Sequence, residues 1–330
     1  MRMRLGVIIF TLGAAFVAGA IKTPATNAVS APHVLFGAWV QQGSATTHAD
    51  AVRALEAQLG FPLAIDNHYR PWTNTFWRDE QDDIASGRTP MVSWTGKGTK
   101  AAAIASGADD ANIARVADAV KALGSRVLVR FAYEMDQPTS GPRYLGTPAQ
   151  FIAAWRHVYG MFQARGVTNA RFVWAPIAAN FKNGVAQSFY PGNRYVDWIG
   201  ADGYNWYPGR PGSKWTTFGD IFAAFYAWAA PRGKPLIVAE TGVQEDPAVP
   251  GRKTAWFATQ PRGSAPTARS GASRTSNRRR LAEGLRLPRR HVERVVRRVA
   301  GDGSRIVGLT PLSDIEAAAR VRRHVRPCPL

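Results

Sequence analysis

Glu134 and Glu240 each stand where a short apolar run ends. Val127-Leu-Val-Arg-Phe131 leads into Ala132-Tyr-Glu-Met-Asp136, and Leu236-Ile-Val-Ala239 leads into Glu240-Thr-Gly242. Both runs are of strand length, rich in β-branched residues and too short to read best as helices. A carboxylate at the exit of each strand suggests two acids facing one pocket. Cleaving a glycosidic bond uses such a pair: one group protonates the leaving oxygen while the other acts on the anomeric carbon, and a retaining enzyme holds the two carboxyls about 5–5.5 Å apart. The environments must differ, with burial or a neighbouring charge keeping the acid protonated and hydrogen bonds keeping the nucleophile ionised. A strand-end Glu is also often half of a structural ion pair, so the bare pair leaves that reading open.

Strands and helices alternate along the chain that must position these groups. Apolar strand runs are expected at 35–40, 62–65, 90–94, 171–175 and 196–201, in addition to the two that carry the glutamates. Between them lie stripes at helical spacing: Val52, Leu55 and Leu59; Ile113, Val116, Val120 and Leu123; Phe151, Trp155, Val158 and Phe162; Phe218, Ile221, Phe222 and Phe225. Thr147-Pro148 has the chemistry of a helix start. Seven strands separated by helices imply βαβ repeats and a parallel sheet. Polar and aromatic residues collect at the strand exits: Trp39 and Gln41, His68 and Tyr69, Trp94, Tyr133 and Glu134, Trp174, Asp202, Tyr204 and Trp206, and Glu240. Barrel active sites are built at that end. The fold expected is therefore an α/β (β/α)8 TIM barrel rather than a doubly wound sheet, because Gln41-Gln-Gly-Ser-Ala45 is no nucleotide-binding glycine turn.

Composition sets the outer bounds. The 330 residues suffice for one such barrel of about 250 residues. Eleven Trp residues imply heavy packing or stacking on flat ligands such as sugar rings. Cys328 is the single cysteine, so an internal disulfide framework is excluded, and the six His include no HExxH; no metal and no cofactor are expected. The net charge of +19 belongs to the tail. Residues 1–250 hold 23 Lys+Arg against 18 Asp+Glu, and residues 251–330 hold 19 against 5. Arg2 and Arg4 before the apolar Leu5–Val17 and the Ala18-Gly-Ala20 cleavage site read as a signal peptide over 1–20, too short in its apolar part to span a bilayer. A Thr/Pro/Ala/Ser-rich linker follows over 21–33, and the catalytic domain is expected over 34–257. The protein is expected to be secreted, monomeric and free of membrane after cleavage.

Four stretches carry a resemblance. Arg130-Phe-Ala-Tyr-Glu-Met135, Trp174-Ala-Pro176, Tyr195-Val-Asp-Trp-Ile-Gly-Ala-Asp-Gly-Tyr-Asn205 and Lys234-Pro-Leu-Ile-Val-Ala-Glu-Thr-Gly242 resemble glycoside hydrolase family 26 in order and spacing, over roughly residues 33–257. This is the family of secreted β-mannanases and related endo-glycanases. The resemblance implies a retaining barrel with Glu134 as acid/base and Glu240 as nucleophile. It also implies that Asp202 and Tyr204 belong to the site, the Tyr204 hydroxyl bonding the nucleophile. His68, Trp94, Tyr133 and Trp206 are further candidates for substrate contact, with packing as the alternative for each. Two positions depart from the pattern: Tyr133 stands where the family usually has His, and Asp136 where it usually has Asn.

The end of the chain departs more. After Phe257 no Phe, Tyr or Trp occurs in 73 residues, no Lys follows Lys253, and Arg dominates. Arg305-Ile-Val-Gly-Leu309 is the one candidate for an eighth strand, so that strand is expected to be atypical or missing. The tail, 258–330, reads as a basic disordered appendage, a divergent barrel end, or the product of a reading-frame shift; the loss of Lys and aromatics together favours the last. The leading function is a secreted retaining endo-β-glycanase acting on a plant-type polysaccharide such as β-mannan. The alternative is a catalytically impaired carbohydrate-binding barrel. A nucleic-acid partner, suggested only by the Arg-rich tail, is not expected given the near-neutral body.

Overall fold

The computed structural model describes residues 35–73, 77–258 and 305–310, with the last six residues as backbone. The signal peptide, the linker and most of the Arg-rich tail lie outside the described residues.

Eight strands and eight α-helices follow in order. They are β1 (Phe36–Trp39), α1 (His48–Leu59), β2 (Ile65–Arg70), α2 (Arg78–Ala85), β3 (Thr89–Trp94), α3 (Ala101–Ala105), α4 (Asp110–Ala122), β4 (Val127–Phe131), α5 (Pro148–Ala164), β5 (Ala170–Trp174), α6 (Val185–Ser188), β6 (Trp198–Asn205), α7 (Phe218–Ala229), β7 (Leu236–Val243), α8 (Arg252–Ala258) and β8 (Arg305–Thr310). The helix starts follow local chemistry. Thr47 and Thr147 each close a capping box with the residue three positions on, Asp50 and Gln150, and Pro148 opens α5. Gly60 ends α1 in the left-handed conformation, φ 79°, which glycine adopts without a Cβ clash. Among the described residues no helix is long and apolar enough to cross a membrane.

Strands β1 to β7 pair in chain order and all run parallel. β8 closes the ring between β7 and β1, but both of its pairings are antiparallel. The expected (β/α)8 barrel is thus present in its first seven strands. The atypical eighth strand falls on the segment that the sequence offered, with reversed direction and no aromatic side chain.

Pleat parity divides each strand's side chains between two cores. Ile65, Met91, Leu128, Val173, Ala175, Ile237 and Ala239 fill the barrel. Val92, Trp94, Val129, Phe131, Phe172 and Trp174 point outward and pack against the helix layer. The next inward layer is polar: Asn67, Ser93 and Arg130 stand two residues beyond Ile65, Met91 and Leu128. The second strand is a correction. Its apolar run pointed to 62–65 with His68 and Tyr69 at the exit, yet Ile65–Arg70 is the strand itself. Its polar residues meet charged or polar partners on both faces, Asn67 with Ser93 inside and Asp66, His68 and Arg70 with groups outside.

Candidate active site

Glu240 reaches the barrel mouth through a bulge. Ala201 pairs with Val238, and the next residue, Asp202, pairs with Glu240, so β7 carries one extra residue there. Ala239 belongs to the interior cluster, and strict alternation would turn Glu240 outward. The extra residue resets the parity and turns Glu240 inward, a recognised way for a strand to re-aim a side chain beside a functional site. Its carboxylate then meets three donors. The Tyr69 hydroxyl donates to Oε1 at 2.7 Å, the Tyr204 hydroxyl to Oε2 at 2.6 Å, and Arg130 Nη2 to Oε1.

Glu134 is delivered by a strained turn. Beyond the end of β4 the backbone passes through the left-handed region at Ala132 (φ 45°) and Glu134 (φ 52°), neither of them glycine. Such positions cost about 1–2 kcal/mol each and persist where surroundings over-determine them. Here the Ala132 N–H donates to the Trp94 carbonyl at 2.8 Å and the Glu134 N–H to the Ala175 carbonyl at 2.9 Å. Asp136 anchors the far side: its carboxylate accepts from the Ile177 N–H at 3.0 Å and from Asn180 Nδ2 at 2.9 Å. Burial pushes the Asp136 carboxyl up to about 6. The Glu134 carboxylate accepts from Gln137 Nε2 at 2.9 Å and Arg143 Nη1 at 2.6 Å. Burial, and then the negative charge of Glu240, raise its proton affinity, while Arg143 and Arg130 oppose the shift.

Carboxylate oxygens of Glu134, Asp202 and Glu240 all lie within 4.8 Å of one another. Arg130, fully buried, is the counter-ion among them. It donates to Asp202 Oδ1 at 3.0 Å, to Glu240 and to Ser93 Oγ at 2.9 Å. Burial outweighs this cation at Asp202, whose carboxyl is held well above the ordinary range. A cation could sit among the three acids, but Arg130 already occupies that electrostatic role. A second group of potential metal ligands joins Asp66 and His68 on the outward face of β2 to His48 of α1.

A cavity of about 680 Å³ opens over the acids, lined among others by Arg143, Tyr204, Trp206 and Arg210. Trp206 is 44% exposed, its ring 4.9 Å from Tyr204 and covered by the Arg210 guanidinium at 4.2 Å. The sequence candidates Glu134, Glu240, Asp202, Tyr204 and Trp206 therefore come together at one mouth. Tyr133 sits behind that wall, 5% exposed, its ring between the guanidiniums of Arg130 at 4.2 Å and Arg143 at 4.6 Å.

Two candidates are corrected. His68 faces outward from β2, with Nε2 2.6 Å from Asp83 Oδ2, and makes no contact with the cavity. Trp94 faces outward from β3, stacks on Trp72 at 4.5 Å and donates its indole N–H to the Trp72 carbonyl at 3.1 Å. Parity decides both, since their strand neighbours Tyr69 and Ser93 take the inward positions. The residues that sequence reasoning missed are Arg130, Arg143 and Gln137, and Tyr69, placed at a strand exit, was given no role. Arg130 left a signal of its own: a lone charge inside an otherwise apolar strand has to find buried carboxylates.

The glycosyl hydrolase family 26 model matches residues 104–234, which include Glu134 and Asp202 and stop short of Glu240. Endoglucanase H of Acetivibrio thermocellus is 31% identical over 235 residues, covering 67% of this chain and 25% of that protein. The chain thus spans about a quarter of the length of that relative. Among solved structures, a family 26 β-mannanase from Bacteroides ovatus aligns with a TM-score of 0.46 at 14% identity, covering 63% of this chain and 69% of that one. A Bacillus subtilis mannanase aligns with a TM-score of 0.46 at 19% identity, covering 61% and 68%.

Proposed function

This chain belongs to glycoside hydrolase family 26, and from that premise we propose that it is a secreted, monomeric endo-β-glycanase hydrolysing a plant-type polysaccharide such as β-mannan with retention of anomeric configuration. The observation that carries the mechanism is the approach of the Glu134 and Glu240 oxygens to within 4.8 Å. An approach this close favours the retaining arrangement, with carboxyls roughly 5–5.5 Å apart, over the inverting one at about 6.5–9.5 Å.

The roles divide by environment. Three donors, one of them cationic, favour the anionic form of Glu240 and leave it as the nucleophile. Glu134, pushed toward the protonated form, is the acid. In the first step a Glu240 oxygen bonds to the anomeric carbon, the glycosidic bond breaks, and the Glu134 proton passes to the leaving oxygen. In the second, Glu134 takes a proton from water, the water oxygen bonds to the anomeric carbon, and Glu240 is released. Trp206, 44% exposed, is the aromatic side chain at the cavity mouth that a sugar would meet. The mannan preference rests on the resemblance of the four sequence motifs to a family of β-mannanases, and secretion on the signal-peptide pattern of residues 1–20.

A second reading is a carbohydrate-binding barrel without turnover. The reversed β8, with no aromatic to contribute, favours it. One experiment separates the two. Wild type, Glu134→Gln and Glu240→Gln are assayed on β-mannan, glucomannan, xylan and mixed-linkage glucan. Turnover lost in both variants supports the enzyme; unchanged turnover in either ends the proposed roles; binding without turnover by wild type supports the binding module.

A further inference from the structure

Behind β2, away from the cavity, a second cluster gathers chemistry that the glycosidase reading does not use. His48 Nε2 lies 2.7 Å from Asp66 Oδ2, His68 Nε2 lies 3.8 Å from the same oxygen, and Asp83 Oδ2 lies 2.6 Å from His68 Nε2. Asp66, His68 and Asp83 are buried, and Asp66 Oδ1 is buried without a hydrogen-bond partner. The Arg88 Nη2 group, also buried without a partner, does not reach it.

The charges around this cluster do not balance. Arg70 pairs with Asp79 and Glu80, and Arg88 pairs with Asp83 and Glu56. Asp66 makes a fifth carboxylate, so this network carries three more negative than positive charges while both imidazoles are neutral. Burying such an excess is costly. Asp79 and Glu56 share part of their charge with solvent, their side chains 34% and 16% exposed, and the buried remainder centres on Asp66, where a cation between the two histidines would offset it.

We propose that His48, Asp66 and His68 form a binding site for one divalent transition-metal ion of the zinc class, with water completing the coordination and Asp83 holding the His68 ring. Imidazole nitrogen and carboxylate oxygen are ordinary zinc donors, and four ligands at about 2.0–2.2 Å stand some 3.3 Å from one another in a tetrahedron. The His48–Asp66 and Asp66–His68 distances, 2.7 and 3.8 Å, bracket that spacing, and one donor atom from each of the three residues lies within 4.8 Å of the other two. The set belongs to rigid elements, Asp66 and His68 to β2 and His48 to the first turn of α1, and Asp83 on α2 holds the His68 ring. His48, 13% exposed, leaves the ion a route from solvent. Arg88, bonded to Asp83 Oδ1 at 2.9 Å, orients that carboxylate from behind. The ion would tie β2 to α1 and would stabilise the fold, with no part in the glycosidic chemistry.

The test uses untagged full-length protein stripped with a chelator, then titrated with Zn²⁺ by calorimetry and followed by thermal melting. One ion per chain with sub-micromolar affinity is expected, with a higher melting midpoint. His48→Gln should weaken binding at least tenfold, and it removes only a partly exposed surface ligand, so the fold should survive. Cys328→Ser should bind as wild type does, and Co²⁺ should give the visible absorption of a tetrahedral site. No stoichiometric binding, or binding by His48→Gln equal to wild type, overturns the proposal. So does a stability indifferent to Zn²⁺ that falls only as pH rises through the histidine range, which would show two imidazoliums supplying the charge instead.

Discussion

Replacing Arg130 by Met tests the electrostatic design of the site. Arg130 is fully buried and bonds Asp202, Glu240 and Ser93. Met keeps much of its volume and removes its charge and donors. Breaking a buried ion pair by deleting one partner costs about 3–5 kcal/mol, because the other partner stays buried without compensation. For a domain of this size each kcal/mol moves the midpoint by about 2–4 °C, so the melting temperature should fall by about 6–20 °C. The loss should also depend on pH in a defined direction. Asp202 is already held well above the ordinary carboxylate range by burial, with Arg130 the main opposing charge. Without that cation its carboxyl rises further. A group whose folded proton affinity is raised contributes stability that is present at low pH and lost as pH rises. The variant's deficit should therefore be larger at pH 8 than at pH 5. Urea unfolding at both pH values measures it. Arg130→Lys should fall between, since an ammonium cannot match a guanidinium that spans three acceptors. A deficit below about 1 kcal/mol, or one that is larger at pH 5 than at pH 8, would refute the reasoning.

Other perturbations follow from the same geometry. Asp136, pushed up to about 6 against an ordinary value of 3.8, loses stability as pH rises through 6; Asp136→Asn does not titrate. The variant should gain about 2 kcal/mol on wild type between pH 4 and pH 8, read by chemical unfolding. Ala132→Val, forced to a φ of 45°, should cost at least about 2 kcal/mol, whereas Ala132→Gly should cost under about 1, the midpoints being compared by thermal melting. Tyr69→Phe and Tyr204→Phe each remove a hydrogen bond to a carboxylate, worth about 1.5–3 kcal/mol. Each should lower kcat/KM by about 10- to 150-fold in steady-state assays, the smaller loss falling on Tyr69, which shares its acceptor oxygen with Arg130.

The order of strands and helices was legible because apolar runs and helical stripes report burial directly. The two glutamates were legible because each closes such a run. What the sequence hid was direction. His68 and Trp94 stand near strand ends like Tyr204, but which face each presents depends on where pairing begins, and β2 begins three residues later than the apolar run Pro62-Leu-Ala-Ile65 suggests. Glu240 shows the opposite case: alternation from Ile237 would turn it away, and only a bulge, which has no composition of its own, turns it inward. Tyr69 was visible as a polar strand residue, but its bond to a carboxylate 171 positions away is a property of ring closure. The histidine and aspartate pairing behind β2 escaped for the same reason, since His48 and Asp66 stand 18 positions apart on different elements.

The covalent step is open to direct observation. Incubation with a 2-deoxy-2-fluoro-β-glycoside bearing a good leaving group slows release of the glycosyl enzyme, and peptide mapping by mass spectrometry then locates the sugar. The expected result is one fluorosugar per chain on the peptide containing Glu240, absent from Glu240→Gln. A label on any other residue, or turnover of natural substrate that gives the α-anomer first by NMR, would contradict nucleophilic attack by Glu240.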